Sequence, residues 1–385
     1  MKEIYATNAE QVVWFGHCRV DQCDRRRIRY SMPGVRFAVR VTGATEIGAR
    51  MFGGYGFFSV HVRERTEVPE DIWFATTVAP TTSHVDTVTL ATSLDRRKVY
   101  DVIVTKKTEP QLRSLITRFQ PAIVESVFID SGEFLPITQK DTFYPHGWIE
   151  VIGDSDACGF GVEGEVTSTS NIFSMDPEKQ DVGKAWGTLL TRLLGMGTSA
   201  ITVAGSGKGT TLNSPMCGAE TIPDIWNRET AETSEDGDSW MQLKESPRAV
   251  VMLVGGNDFY KNVSPDRNTF VTKFAGFIKC IRDLRGTQCP IFLFQCTANC
   301  CSSEGGPSSH PGDDPAVITA CNTLCEFTEE VSRVAGGVAN GIHFHKIDVR
   351  LSTETDYGIM MHWNEAGHIA IAQDMVARVR EFLES

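Results

Sequence analysis

The chain has 385 residues, 41% of them hydrophobic and 22% charged, which suits about two domains of ~100–200 residues with ample apolar material for a core. Its 34 glycines and 16 prolines are too few for a collagenous or low-complexity chain, and no run of about 18 apolar residues is present to cross a bilayer as a helix. Lys and Arg number 37 against 49 Asp and Glu, a net charge of −12, so neither nucleic acid nor a membrane surface is an expected partner.

The charge is uneven: residues 1–130 hold 18 basic and 15 acidic side chains, residues 131–385 hold 19 and 34, which suggests two units with different surfaces. Eleven cysteines is an odd number, so at least one thiol is unpaired within the chain. Their spacings lack the paired CxxC of a zinc site, and no metal is expected. The start, Met1 to Ala6, lacks the apolar run of a secretory signal. The expectation is an intracellular chain, or a secreted one whose leader has been removed.

From Val12 to about Phe128 the pattern is short and alternating. Arg36–Val41, Phe57–Arg63, Val85–Leu90 and Val99–Val104 read as strands with one buried face, separated by turn residues. Many short strands at regular spacing predict an all-β jelly-roll sandwich over residues 1–130. The Arg25–Arg29 run reads as a solvated face in so acidic a protein, and Trp14, Trp73 and Trp148 read as core. A linker is expected over 131–146, where Pro136, Asp141 and Pro145 break the pattern.

From 147 to 385 the period changes. Apolar strands at Trp148–Ile152, Ala200–Ala204, Ala249–Val254, Ile291–Gln295 and Ile342–Ile347 alternate with amphipathic helices. Trp186, Leu189, Leu190, Leu193 and Leu194 define one helical face; Val317, Cys321, Leu324, Thr328 and Val331 another; Ile369, Ala372, Val376, Val379 and Leu383 a third. This alternation predicts a three-layer α/β domain whose parallel sheet carries its chemistry beyond the carboxyl ends of the strands.

Four of those ends carry suggestive residues. The first strand runs into Gly153-Asp154-Ser155-Asp156, a serine on a sharp turn; its spacing differs from the GxSxG elbow. The second ends in Ser206-Gly207-Lys208-Gly209, which fails the phosphate-loop pattern because Gly209 follows the lysine and Thr202 replaces the first glycine. Gly207 remains a candidate backbone donor. The third ends in Gly255-Gly256-Asn257-Asp258, where Asn257 can offer its amide to a developing oxyanion and Asp258 can shape the loop. After the last strand, His362 precedes the final helix and is placed to act as general base, while His368 inside that helix reads as a packing residue. Serine, glycine, asparagine and histidine in this order describe acyl transfer.

The pattern resembles the SGNH (GDSL-type) hydrolase superfamily, and more closely its family two carbohydrate esterases, which join a jelly roll to a flavodoxin-like SGNH domain. Cys158-Gly159-Phe160-Gly161, the Ser206–Gly209 loop, Gly255–Asp258 and Lys106-Lys107-Thr108-Glu109 carry the likeness. It implies Ser155 as nucleophile, His362 as general base and acid, Gly207 and Asn257 in the oxyanion hole, an acetylated carbohydrate substrate, and no cofactor. The departure is at the histidine, where Ile359 occupies the place of the usual Asp three residues earlier and Trp363 replaces a proline. The resemblance therefore implies a Ser–His dyad whose imidazole is oriented by a backbone carbonyl, with Asp348 or Asp356 as alternatives for a third member. Asp154, Trp226, Trp240 and Trp363 are expected to contact substrate, and the Ser302–Pro315 stretch, with a solvated His310, to border it. Acetyl transfer to a sugar hydroxyl and a non-catalytic carbohydrate-binding protein are the competing functions.

Overall fold

The computed structural model describes residues 1–385 apart from 55, 66–72, 82, 111–120, 166–176, 215–216, 229, 232–242, 244, 297–314, 353 and 385. The chain divides into two units, one comprising Met1–Pro145 with Arg228–Gln242, the other His146–Asn227 with Leu243–Ser385.

The first unit is antiparallel β. Its strands are β1 (Lys2–Tyr5), β2 (Val12–Phe15), β3 (Cys18–Val20), β4 (Ile28–Tyr30), β5 (Arg36–Thr42), β6 (Ile47–Phe52), β7 (Phe58–Glu64), β8 (Trp73–Val78), β9 (Asp86–Ala91), β10 (Val99–Lys106), β11 (Ala122–Ile129) and β12 (Glu133–Leu135). One sheet runs β3-β4-β11-β6-β9 with β1 on β11, the other β12-β5-β10-β7-β8 with β2 on β5. Period-two alternation puts Val39, Val62 and Val102 directly opposite one another, all buried. Asp101, one residue back and on the other face, is wholly buried and held by Arg40, Arg63 and Arg65 at 2.6, 2.8 and 3.2 Å. Burial acts to raise its pKa, but the Arg40 and Arg63 guanidiniums overcome this and hold the carboxyl below the usual range. The Arg25–Arg29 run is partly neutralised locally, Arg26 by Asp24 and Arg27 by Glu125.

Residues 131–146 are more than a linker. They hold β12, paired with β5, and a short helix, α1 (Gln139–Phe143), capped by Thr138. Phe134, Ile137, Phe143 and Tyr144 are buried there, and the Phe143 and Tyr144 rings lie against Phe15. The prolines that break the periodicity hide these anchors in the sequence. A second departure is that Arg228 and Ala231, from the second half of the chain, hydrogen-bond to residues of the first unit. The Arg228 carbonyl lies 2.7 Å from Nδ1 of His17, and the Ala231 N–H donates to Ser31 Oγ.

The second unit is built on five parallel strands, β13 (Ile149–Gly153), β14 (Ala200–Val203), β15 (Ala249–Leu253), β16 (Ile291–Cys296) and β17 (Ile342–Ile347), in the order β14-β13-β15-β16-β17. The expected boundaries differ by no more than one residue. Helices α2 (Trp186–Leu193), α3 (Ile222–Ile225), α4 (Arg267–Arg285), α5 (Pro315–Val334) and α6 (Glu365–Leu383) accompany them. Ile149, Val151, Val251, Leu253, Phe292 and Phe294 of one sheet face pack with Trp186 and Leu190 of α2 and with Ile371, Ala372, Met375 and Val379 of α6. The opposite face holds Glu150, paired with Arg285 of α4.

Two helices differ from expectation. The buried stripe of α6 is His368, Ile371, Ala372, Met375 and Val379, with Ile369 exposed, because Asn364 caps the helix so that His368 faces Trp363. Helix α4, passed over in the periodicity, buries Phe270, Phe274, Phe277, Ile278 and Ile281. The strand order reverses direction at β13, so the loops after β13, β14 and β15 flank the crevice where such sheets bind ligands.

Candidate active site

The turn after β13 is tight because Gly153 has no side chain: a Cβ there would lie 2.4 Å from that of Ala157. The backbone N–H groups of Cys158 and Phe160 donate to the Ser155 carbonyl and fix the turn around the serine. Nε2 of His362 lies 2.7 Å from Ser155 Oγ. Nδ1 faces two backbone carbonyls, Ile359 at 3.3 Å and Met360 at 3.2 Å. Carbonyls only accept, so Nδ1 carries the hydrogen and the Nε2 lone pair is turned to the serine hydroxyl.

That geometry depends on an unusual backbone. Met360 and Met361 have φ of 53° and 58°, in the left-handed region, where a side chain costs about 1–2 kcal/mol per residue. The loop is tied down by its neighbours: Ile359 N–H donates to the Gly161 carbonyl, Gly358 N–H to the His362 carbonyl, and the Phe160 ring sits 4.5 Å from the imidazole. The Cys158–Gly161 segment thus packs on the histidine loop. The carboxylates considered for a third member are elsewhere: Asp348 is exposed, and Asp356 accepts from the Ser352 N–H and the Thr355 hydroxyl.

Gly207 has φ of 68°, and a Cβ there would strike Cys217 Sγ at 2.1 Å, so the position requires glycine. Its carbonyl accepts from Ser214 N–H at 2.8 Å, while the Ser214 hydroxyl donates to Asn257 Oδ1 at 2.7 Å. Nδ2 of Asn257 donates to Asp154 Oδ2 and to the Lys208 carbonyl, both at 3.2 Å. These bonds gather the three strand ends carrying Ser155, Gly207 and Asn257. Asp258 completes the loop by accepting from the N–H groups of Thr210, Thr211 and Leu212 and from both threonine hydroxyls. Burial nonetheless pushes its carboxyl above the ordinary range. Asp258 fulfils its expected loop-shaping role; Ser214 escaped the sequence reading, since a serine in a polar loop carries no periodic signal.

Three residues expected to contact substrate are buried in the structure. Asp154 is buried and turned to Asn257, where it fixes an amide. Trp226 is buried with its indole N–H on Glu150, on a face of the sheet shared with Arg285. Trp363 is 1% exposed and packs on His368. Its carbon-rich ring has been taken into the core. Trp240, His310 and residues 302–314 lie outside the described residues. Among the described residues, no three His, Cys, Asp or Glu side chains are grouped to hold a metal ion.

No protein-family model matches the chain, and no curated protein matches it in sequence. Solved structures do match in fold. A family two carbohydrate esterase from Clostridium thermocellum, in complex with cellohexaose, is 21% identical with a TM-score of 0.73, covering 97% of this chain and 99% of the other. A family two carbohydrate esterase from Cellvibrio japonicus is 16% identical with a TM-score of 0.72, covering 100% and 98%. An acetyl xylan esterase from Butyrivibrio proteoclasticus is 14% identical, also with a TM-score of 0.72 and covering 100% and 98%. The chain is therefore built, over nearly its whole length, on the fold of the family two carbohydrate esterases.

Proposed function

We propose that the chain is a serine esterase of the SGNH type that removes O-acetyl groups from carbohydrate. The observation that carries this reading is the 2.7 Å approach of His362 Nε2 to Ser155 Oγ, with Nδ1 committed to carbonyls. A serine hydroxyl is a poor nucleophile until a base takes its proton, and this tautomer presents the base. Ser155 Oγ attacks the ester carbonyl carbon as its proton passes to Nε2. The oxyanion that forms is stabilised by the backbone N–H groups of Ser155 and Gly207 and by Asn257 Nδ2, whose two long internal bonds are weak competitors. The proton on Nε2 then leaves with the sugar alcohol, and water repeats the sequence on the acyl-enzyme. The carbohydrate assignment rests on the fold shared with the esterases, one of them in complex with cellohexaose and another described as acting on acetyl xylan. With it goes a jelly-roll connectivity for the two antiparallel sheets.

Ser155→Ala should lower turnover of an aryl acetate by about 10³-fold or more. Turnover within a few-fold of the parent protein would remove Ser155 as nucleophile. Labelling of Ser155 by a fluorophosphonate separates an esterase from a carbohydrate-binding protein on the same scaffold. Acetate release from acetylated xylan, mannan and simple sugars, with and without an added saccharide acceptor, identifies the substrate and separates hydrolysis from transfer.

A further inference from the structure

The segment before His362 offers the imidazole two neutral carbonyls and no carboxylate. A general base that becomes an imidazolium in the transition state gains from a nearby negative charge, and here that charge has another source. Asp156 immediately follows the nucleophile, and its Oδ1 lies 3.4 Å from the backbone nitrogen of Trp363, the residue immediately after His362. Asp156 is therefore the carboxylate that bridges the serine loop and the histidine loop.

We infer that Asp156 is a positioning residue that supplies the anionic field for the His362 imidazolium from the nucleophile's own loop, in place of the carboxylate missing from the histidine segment. The inference rests on the esterase reading above. It requires Asp156 to be ionised, and its neighbour makes that possible. Asp154 and Asp156 flank the serine, with the Asp156 N–H donating to Asp154 Oδ1. Two like charges so close cannot both persist in a desolvated site, and one carboxyl takes up a proton. Burial, then the charges of Asp156 and Asp258, push Asp154 well above the usual carboxylate range. Asp156 is raised less decisively: desolvation lifts it, while His362 and the Trp363 N–H draw it back. Both carboxyls are raised, Asp154 the more strongly, so of the pair Asp156 holds a charge the more readily. The other titratable groups around the pair are Asp258 after β15, Tyr357 and Asp356 on the histidine segment, and His368 on α6. His368 is a buried imidazole whose lowered pKa keeps it neutral, which leaves Asp156 as the carboxyl in contact with both the serine and the histidine loops.

Asp156→Asn tests this cleanly, because the amide oxygen still accepts from Trp363 and only the charge is lost. In the full chain, the acid limb of kcat/KM for an aryl acetate should move to lower pH by about one unit, because an imidazolium without its anion gives up its proton sooner. The plateau should fall about tenfold. The second measurement needs no turnover: the titration of His362 followed by NMR in Ser155→Ala, with and without Asp156→Asn, should show the same downward shift. Asp156→Glu, which keeps the charge, should titrate like the parent. An unshifted His362 titration in a variant with an unchanged melting curve would overturn the inference while leaving the esterase reading intact. Equal behaviour of the Asn and Glu variants would overturn it too. Absence of any esterase turnover in the parent would instead count against that reading, and the NMR titration would still report on Asp156.

Discussion

Met360 and Met361 show how a site is held by backbone rather than by side-chain chemistry. Two consecutive left-handed residues turn the 359 and 360 carbonyls onto Nδ1, and the cost is offset by the hydrogen bonds that close the 358–362 loop. Ser155, Gly207, Asn257 and His362 were legible as candidates because each follows a strand of strong apolar pattern. The φ angles behind Nδ1 were not, since methionine carries no signal for a positive φ. Ser214 is a second residue of this kind. Its hydroxyl sets which way the Asn257 amide points, and its N–H holds the Gly207 carbonyl. Ser214→Ala should reduce kcat on an aryl acetate about tenfold with KM nearly unchanged, as expected when an oxyanion donor is loosened. Ser214→Thr, which keeps the hydroxyl, should recover most of the loss; steady-state kinetics of the two variants decide it.

Strand β13 serves two purposes on its two faces. The turn after it carries the serine, while Glu150, its second residue, makes a bidentate pair with Arg285 of α4 and accepts from the Trp226 indole. Arg285 also lies over the Trp148 and Trp226 rings at 5.7 Å. Removing one member of such a buried pair strands the other charge, at a cost of about 3–5 kcal/mol. Arg285→Ala should therefore lower the melting temperature by about 10 °C, while Glu150→Gln with Arg285→Met should recover part of it. Calorimetry of the three proteins checks both. This placement was not legible in the sequence: Trp226 stands just after the four-residue α3, and its partner Glu150 lies 76 positions away. Periodicity reports local burial along a strand or helix, so the five strands of the sheet were readable to within a residue. A tertiary polar partner has no local trace. Of the face expected on α6 only Ile369 is exposed: Ala372 and Val379 are buried, Val376 and Leu383 pack against the core, and His368, Ile371 and Met375 widen the face.

Across the whole molecule, acid should weaken the fold through its buried histidines. His368 is fully buried, accepts from the Trp186 N–H through Nδ1, and has its pKa pushed down to about 3 by burial and then by His362. The unfolded chain takes up that proton first as pH falls through about 6.5, so stability is lost below that value by about 1.4 kcal/mol per pH unit. His343 and His345 on β17 are lowered in the same direction by burial. Asp154 opposes them, since a raised carboxyl favours the fold as pH drops below its folded value toward the lower unfolded one. His368→Asn keeps an acceptor for Trp186 and removes the titration; its urea midpoint should fall less between pH 7 and pH 4.5 than that of the parent, and an identical fall would refute the assignment. The contacts of Arg228 and Ala231 have a consequence of another sort. His17 and Ser31 meet their Arg228 and Ala231 partners only after some 200 further residues have been synthesised; at ~5–20 residues per second, that is a delay of roughly 10–40 s. These two contacts therefore close only after β13, β14 and α3 have been made, although every strand of the amino-terminal sheets lies within residues 2–135.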